Sequence, residues 1–137
     1  KIMKKLLFIL LCVIVGCTAS SKQSSPFKGE WKQETDEELN LLKIDLYEKT
    51  VKLPDESGTC FGYLQTENEF AADYWIIDEV TNITNDSANV KVYSWRYGSP
   101  EEKNDRVLLY NSNEHTITVK QEGYSFTLSP TENSNNK

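Results

Sequence analysis

The chain has 137 residues, of which 21 are acidic and 15 basic, and its formal net charge is −6. This length suits one domain with a real hydrophobic core, and the excess of acids excludes nucleic acid and anionic lipid headgroups as partners of the protein surface. The chain has three cysteines and one histidine, so we expect neither a disulfide framework nor a cysteine-based metal centre.

The first element is an apolar stretch near the start of the chain. Lys4 and Lys5 precede a continuous apolar run over residues 6–15, and the small residue Gly16 follows it. A basic start, an apolar segment and a small residue are typical of a secretory signal. A membrane-spanning helix needs about twenty apolar residues, so a transmembrane anchor is the weaker alternative. We therefore predict a signal peptide over residues 1–16.

The end of this run, Ile14-Val15-Gly16-Cys17, resembles the lipobox of bacterial lipoproteins. The resemblance implies that the Cys17 thiol receives a diacylglyceryl group, that cleavage occurs before it and that the new amino terminus is acylated. Two or three acyl chains anchor a protein stably, because each buried CH₂ contributes about 0.8 kcal/mol. The alternative is an ordinary secretory signal with a chance cysteine. The hypothesis predicts a lipid-anchored envelope protein, facing the periplasm from the outer membrane because Thr18 rather than Asp follows Cys17.

Polar segments lie on both sides of the predicted folded domain. Residues 17–25 carry the serine-rich sequence TASSKQSS after the cysteine, which predicts a flexible tether. Residues 131–137 form a similarly polar tail, which leaves residues 26–130 as the folded domain. Cleavage before Cys17 would remove three lysines and no acid, and would lower the net charge from −6 to −9. The acyl chains, and not the protein surface, would then hold the protein to the membrane.

Alternation of apolar and polar residues predicts a series of short strands between these segments. One stretch has an alternative, because Thr35 and Glu38 match a capping box that would start a helix with Leu39, Leu42 and Leu46 on one face. We favour a strand there, because the next segment continues in phase, as in a hairpin. The predicted strands are 28–33, 40–48, 50–53, 59–66, 73–84, 88–97, 106–110, 116–121 and 124–128.

Even spacing of the strands, with almost no helical pattern, indicates an all-β fold. We predict a small antiparallel meander barrel of about eight strands, with a β-sandwich as the alternative. Gly29-Glu30-Trp31 resembles the Gly-x-Trp motif that opens lipocalin-like barrels. The resemblance implies that Trp31 closes one end of the barrel, where an Arg of the last strand packs over it in that family. This chain has Lys120 and no Arg in that part.

The cysteines and the histidine do not form a catalytic arrangement in the sequence. Cys12 leaves with the signal and Cys17 is the lipidation site, so Cys60 remains alone. A catalytic cysteine needs a base such as histidine, and no protease signature surrounds Cys60, so we predict a buried, inert thiol. His115 lies at the turn into a strand and is predicted to be exposed.

Three groups of acids are the remaining candidates for chemistry. None has the ligand spacing of a calcium loop, and a solvated face is the interpretation we favour. The chain also has no Gly-x-Ser-x-Gly, P-loop or His-Glu-x-x-His motif. We therefore predict no enzyme activity, no cofactor and no metal site. The acidic groups are residues 36–38, 78–79 and 101–102.

The aromatic residues are the feature that solubility explains least. Tyr93, Trp95 and Tyr97 would share one face of a strand whose other face already supplies core residues. Either this row packs beneath another segment, which we favour, or it forms an exposed platform that binds a ligand. In a predicted turn nearby, Asp86-Ser87-Ala88 resembles an O-glycosylation site of some anaerobic Gram-negative envelopes, which would make Ser87 a modification site.

These patterns predict a non-enzymatic envelope lipoprotein with a binding domain. The ligand classes that remain open are a small apolar molecule, a glycan and a protein partner. The competing class is a structural or assembly accessory of the envelope without a small ligand. The sequence contains no signal for the oligomeric state.

Overall fold

The computed structural model describes residues 26–131. The predicted signal peptide, the lipidation site Cys17, the tether and all but the first residue of the predicted tail lie outside these residues. Within them the chain forms ten β-strands and no helix. The strands are β1 Gly29–Glu34, β2 Glu38–Ile44, β3 Val51–Lys52, β4 Thr59–Cys60, β5 Gly62–Asn68, β6 Ala72–Ile83, β7 Ser87–Ser94, β8 Asn104–Asn111, β9 Thr116–Gln121 and β10 Tyr124–Pro130.

Eight of the strands close into an antiparallel barrel, as the alternation predicted. The strand order around the barrel is β1-β10-β9-β8-β7-β6-β5-β2, and β10 closes it by pairing with β1. The fold-class prediction is thus confirmed, with a barrel rather than a sandwich. The two short strands β3 and β4 form a separate two-stranded hairpin between β2 and β5 in the chain.

Side chains fill the interior of the barrel. Alternate residues of each strand point inward, for example Asn40, Leu42 and Ile44 of β2, which are all at most 2% exposed. An eight-stranded barrel is just wide enough for its own side chains. A space of about 10 Å³ remains between the interior side chains, which holds at most one water molecule. The buried apolar set is Phe27, Trp31, Leu42, Ile44, Leu46, Leu64, Ile77, Ala88, Val90, Val92, Leu108, Ile117, Val119, Phe126 and Leu128.

An aromatic cluster packs at the end of the barrel where β10 finishes beside β1. Trp31 is 2% exposed, and its indole N–H donates a hydrogen bond to the carbonyl of Phe27 at 3.1 Å. The ring of His115 lies 5.2 Å from the Trp31 ring. The Nδ1 atom of His115 lies 2.9 Å from the hydroxyl of Tyr110. His115 is exposed as predicted, but its ring packs on Trp31, where the resemblance implied an Arg.

The hairpin prediction for residues 50–53 was wrong. Both edges of β2 are occupied, one by β1 and the other by β5, so the following segment cannot pair with it. The segment therefore turns away after Ile44 and pairs with β4 instead. The helix alternative is not observed either. The Thr35 hydroxyl accepts hydrogen bonds from the backbone N–H groups of Glu37 and Glu38, which fixes a tight turn between β1 and β2.

The strand predicted over residues 88–97 ends three residues earlier than expected. The backbone N–H of Tyr97 donates to the Ser94 hydroxyl, and that of Gly98 donates to the Ser94 carbonyl. Asp73 of β6 also binds this turn, since its carboxylate accepts hydrogen bonds from the Ser94 hydroxyl and from the backbone N–H of Arg96. The chain therefore bends after Ser94.

Candidate ligand-binding groove

The β3–β4 hairpin packs against the outer wall of the barrel. There it covers a second, smaller buried cluster that consists of Cys60, Ile76 and Tyr93. The Cys60 sulfur lies 3.4 Å from the carbonyl oxygen of Val51 and 3.3 Å from that of Gly62. Cys60 is 3% exposed and burial raises its pKa, so the prediction that it is buried is confirmed.

Gly62 allows the hairpin to join the barrel wall closely. Its φ is +153°, and a Cβ added there would lie 2.3 Å from the carbonyl oxygen of Lys43. A side chain at this position would therefore push β5 away from β2. Because β5 approaches β2 closely at Gly62, the β3–β4 hairpin, which ends two residues earlier at Cys60, lies directly beside the barrel wall.

An open groove lies between the hairpin and the wall. Its volume is about 520 Å³, which is within the range of small-molecule sites in proteins. The hairpin contributes Val51, Lys52 and Leu53 to the lining. The barrel wall contributes charged residues of β1 and β2, and one tyrosine each from β5 and β6.

Tyr63 and Tyr74 form the aromatic part of the groove. The Tyr63 and Tyr74 rings meet edge to face, with their centroids 5.3 Å apart and an interplanar angle of 77°. Both are half-buried and pack against the second cluster, while they also line the groove. Burial raises the pKa of the Tyr63 hydroxyl, so this group stays a neutral hydrogen-bond donor and acceptor.

Ion pairs line the same groove. Glu30 and Lys43 are directly opposite each other on β1 and β2, and their charged groups lie 3.1 Å apart. The hydrogen bond to Glu30 raises the pKa of Lys43, which therefore stays charged. Asp45 is 6% exposed; its Oδ2 atom accepts a hydrogen bond from the Thr50 hydroxyl at 2.9 Å. The arrangement offers fixed polar groups beside two rings, which can hold a molecule that has both apolar faces and hydroxyl groups.

The structure does not bring the three predicted aromatic residues together on one exposed face. Tyr93 is 7% exposed within the second cluster, whereas Tyr97 is 74% exposed beyond the end of β7. Trp95 is half-buried and packs against the edge of the cluster. Tyr93 therefore packs beneath another segment, as we favoured. A ligand-binding role of Tyr93, Trp95 and Tyr97 stays a prediction.

Sequence reasoning missed Tyr63 and Tyr74 as site residues. A signal was present, because Tyr74 begins the uninterrupted apolar run Tyr74-Trp75-Ile76-Ile77. Such a run indicates a strand that is covered on both faces. It predicts a covered outer face of β6, but not the identity of the covering segment.

Ser87 is half-buried, as the first residue of β7. Its backbone N–H donates to the Thr84 hydroxyl, and its carbonyl accepts a hydrogen bond from the backbone N–H of Thr84. The turn over residues 84–86 is exposed, but glycosylation of Ser87 stays a prediction. Among residues 26–131, no three His, Cys, Asp or Glu side chains gather as a metal site.

No protein-family model, no curated protein and no solved structure matches the chain. In the part of the chain that the structure describes, no helix has the length and apolarity needed to cross a bilayer.

Proposed function

We propose that this protein is a lipid-anchored envelope protein whose barrel binds a glycan in the groove beneath the β3–β4 hairpin. The observation that carries the proposal is the Tyr63–Tyr74 ring pair beside the Glu30–Lys43 ion pair in one open groove. Sugar rings present apolar C–H faces and many hydroxyls. Tyrosine rings pack on the C–H faces of a sugar, and fixed charged groups form hydrogen bonds with its hydroxyls.

The filled interior favours this ligand class over a small apolar molecule. A space of about 10 Å³ cannot accept an acyl chain or a ring, so an apolar ligand would have to displace core side chains. The groove is already open, and its lining combines polar residues such as Lys28, Thr50 and Lys52 with apolar ones. Its acids Glu30 and Asp45 each pair with a lysine, an arrangement that favours holding a ligand over transferring a proton.

Binding to a glycan array, followed by calorimetry with the best oligosaccharide, tests the groove. The full chain in detergent should bind, and Tyr74→Ala should weaken binding about tenfold, since loss of one packed ring costs on the order of 1.4 kcal/mol. Tyr97→Ala is the matched control, because it removes an exposed tyrosine outside the groove. Equal binding by a folded Tyr74→Ala variant, or no binding to any glycan, would rule out the proposal.

The proposed lipid anchor is tested separately at Cys17. The sequence Ile-Val-Gly-Cys, which ends at this residue, is the reason for proposing an envelope location. Replacement of Cys17 by Ser should move the protein from the membrane to the soluble fraction and block normal cleavage. Fractionation followed by immunoblotting measures both effects. Unchanged membrane association in the variant would contradict lipidation.

One observation favours the second candidate, a structural or assembly accessory that binds a protein. Phe70 is 87% exposed in the turn between β5 and β6, and its backbone N–H donates to the Asn68 side chain at 2.9 Å. An exposed ring on a fixed turn is suited to contact a partner. Crosslinking of the full chain in cells, with and without Phe70→Ser, separates the candidates, because only the accessory hypothesis requires a crosslink that depends on Phe70.

A further inference from the structure

A second open site lies where β8 and β9 separate. Their pairing runs from Asn111↔Thr116 to Val107↔Lys120 and then stops. Before Val107, the first residues of β8 pair only with β7, and after Lys120 the chain turns into β10. The cleft between the separated ends has a volume of about 480 Å³. It is lined by 103–107 on one side and 120–122 on the other.

Arg106 lies at the inner side of this cleft. It belongs to the inward-facing set of β8, with Leu108, and also lines the barrel interior. Its guanidinium lies 5.3 Å from the centre of the Trp75 ring, and one of its N–H groups donates to the carbonyl of Asp105 at 2.8 Å. Arg106 is half-buried, and burial lowers its pKa, which means that the charged form has lost part of its hydration.

This half-buried cation forms no salt bridge with a carboxylate of the described residues. Among residues 26–131, neither Arg106 nor Lys120 forms an ion pair. The neighbouring residue Asp105 attracts the charge of Arg106, which partly offsets the effect of burial on the pKa, but its carboxylate forms an ion pair with Lys91 at 3.0 Å. A guanidinium has five N–H donors, and the one side-chain hydrogen bond described for Arg106 leaves several of them for a ligand. The interior cannot hold that ligand, so it has to enter from the cleft.

The charges around the cleft restrict the ligand further. Lys103 is held by Asp78 at 2.8 Å and by Glu79 at 3.7 Å, so it does not add a free cation. Lys120 and Glu122 are both exposed and line the other side of the cleft.

The cations Arg106 and Lys120 face two acids of the lining, Glu122 and Asp105, of which Asp105 is paired with Lys91. This balance of charge favours an anion of a single charge over a doubly charged one. A guanidinium matches a planar carboxylate with two parallel hydrogen bonds.

We propose that the β8–β9 cleft is a binding site for a small organic carboxylate, which Arg106 holds through a bidentate ion pair. The site is independent of the groove beneath the hairpin. It is formed by β8 and β9, whereas the groove involves β1, β2, β3, β5 and β6.

The two arginines of the chain, Arg96 and Arg106, give a direct test. Labelling of the full chain in detergent with ¹⁵N-arginine yields one Nε–H signal for each residue. Both guanidinium groups lie over an aromatic ring, 5.0 Å from Tyr97 for Arg96 and 5.3 Å from Trp75 for Arg106, so Arg96 is a matched internal control. Sodium benzoate and sodium acetate are the probes, and titrations are made at constant ionic strength.

Benzoate or acetate should move the Arg106 signal to saturation with a dissociation constant of about 1 mM, while the Arg96 signal stays unchanged. Arg106→Lys should weaken binding about tenfold, because a lysine cannot form the paired hydrogen bonds. Lys120→Gln changes an exposed residue and should weaken binding about threefold. Circular dichroism shows whether each variant is folded.

Two results would overturn the proposal. One is an Arg106 signal that no carboxylate moves up to about 50 mM, or that moves only together with the Arg96 signal. The other is saturable binding of inorganic phosphate with no response to either carboxylate, which would assign the cleft to another class of anion.

Discussion

The barrel interior and the outer groove differ in how they use their apolar residues. The interior buries fifteen apolar residues, and the space found between them has a volume of about 10 Å³. Beneath the hairpin the buried cluster consists of Cys60, Ile76 and Tyr93, and half-buried rings lie around it at an open groove of about 520 Å³. The comparison indicates that the interior provides stability, and our proposal assigns ligand binding to the outer wall. In this barrel, function is expected outside the barrel wall.

The largest expected effect tests the interior. Trp31→Ala would remove a ring that is 2% exposed, together with its hydrogen bond to Phe27. It should lower the free energy of unfolding by about 3–5 kcal/mol, because the filled barrel cannot collapse around the cavity. Urea denaturation measures the change. A loss below about 1 kcal/mol would show that the interior is loosely packed and could open for a ligand.

A smaller effect is expected at the edge of the outer cluster. Trp95→Ala should lower the free energy of unfolding by about 1–2 kcal/mol, because the Trp95 ring is half-buried. Tyr97→Ala should lower it by less than about 0.5 kcal/mol, because Tyr97 is exposed. Both variants are compared with Trp31→Ala under the same denaturant conditions. Equal losses for Trp95 and Trp31 would remove the distinction between the two regions.

The smallest expected effect is a pH dependence at Cys60. Burial raises its folded-state pKa above the ordinary value of 9.0, so the folded protein favours the neutral thiol. The contribution of the Cys60 thiol to the free energy of unfolding is therefore fully present below pH 9.0. It is lost as the pH rises through the folded-state pKa, because the unfolded chain releases the thiol proton more readily than the folded protein.

Unfolding free energies measured between neutral and alkaline pH, for the native chain and for Cys60→Ala, isolate the thiol. Tyr63 and Tyr93 also have raised pKa values, but their ordinary value is 10.0, so their effect begins at higher pH in both proteins. A thiol reagent should react with Cys60 only after denaturant is added. Rapid reaction with the native protein would show that the hairpin opens.

Periodicity in the sequence predicted the barrel but not the hairpin on its wall. The strands of the barrel alternate over six or more residues, so their inward faces are visible in the sequence. By contrast, β3 and β4 have two residues each, and their pairing depends on which edges the longer strands leave unoccupied. The Tyr63–Tyr74 pair depends on the register of β5 with β6. The β8–β9 cleft depends on where a ladder stops, which no local pattern encodes.

The most direct test of the account is to locate a bound oligosaccharide by NMR. The chain has seven tyrosines, so tyrosine-selective labelling gives a small set of ring signals, and a second sample with labelled leucine and valine methyl groups reports on the interior. We expect the oligosaccharide to shift the Tyr63 and Tyr74 rings and to leave the methyl groups of Leu42 and Val92 inside the barrel unchanged. Shifts at those two interior residues, with unchanged Tyr63 and Tyr74 rings, would contradict the assignment of binding to the outer wall.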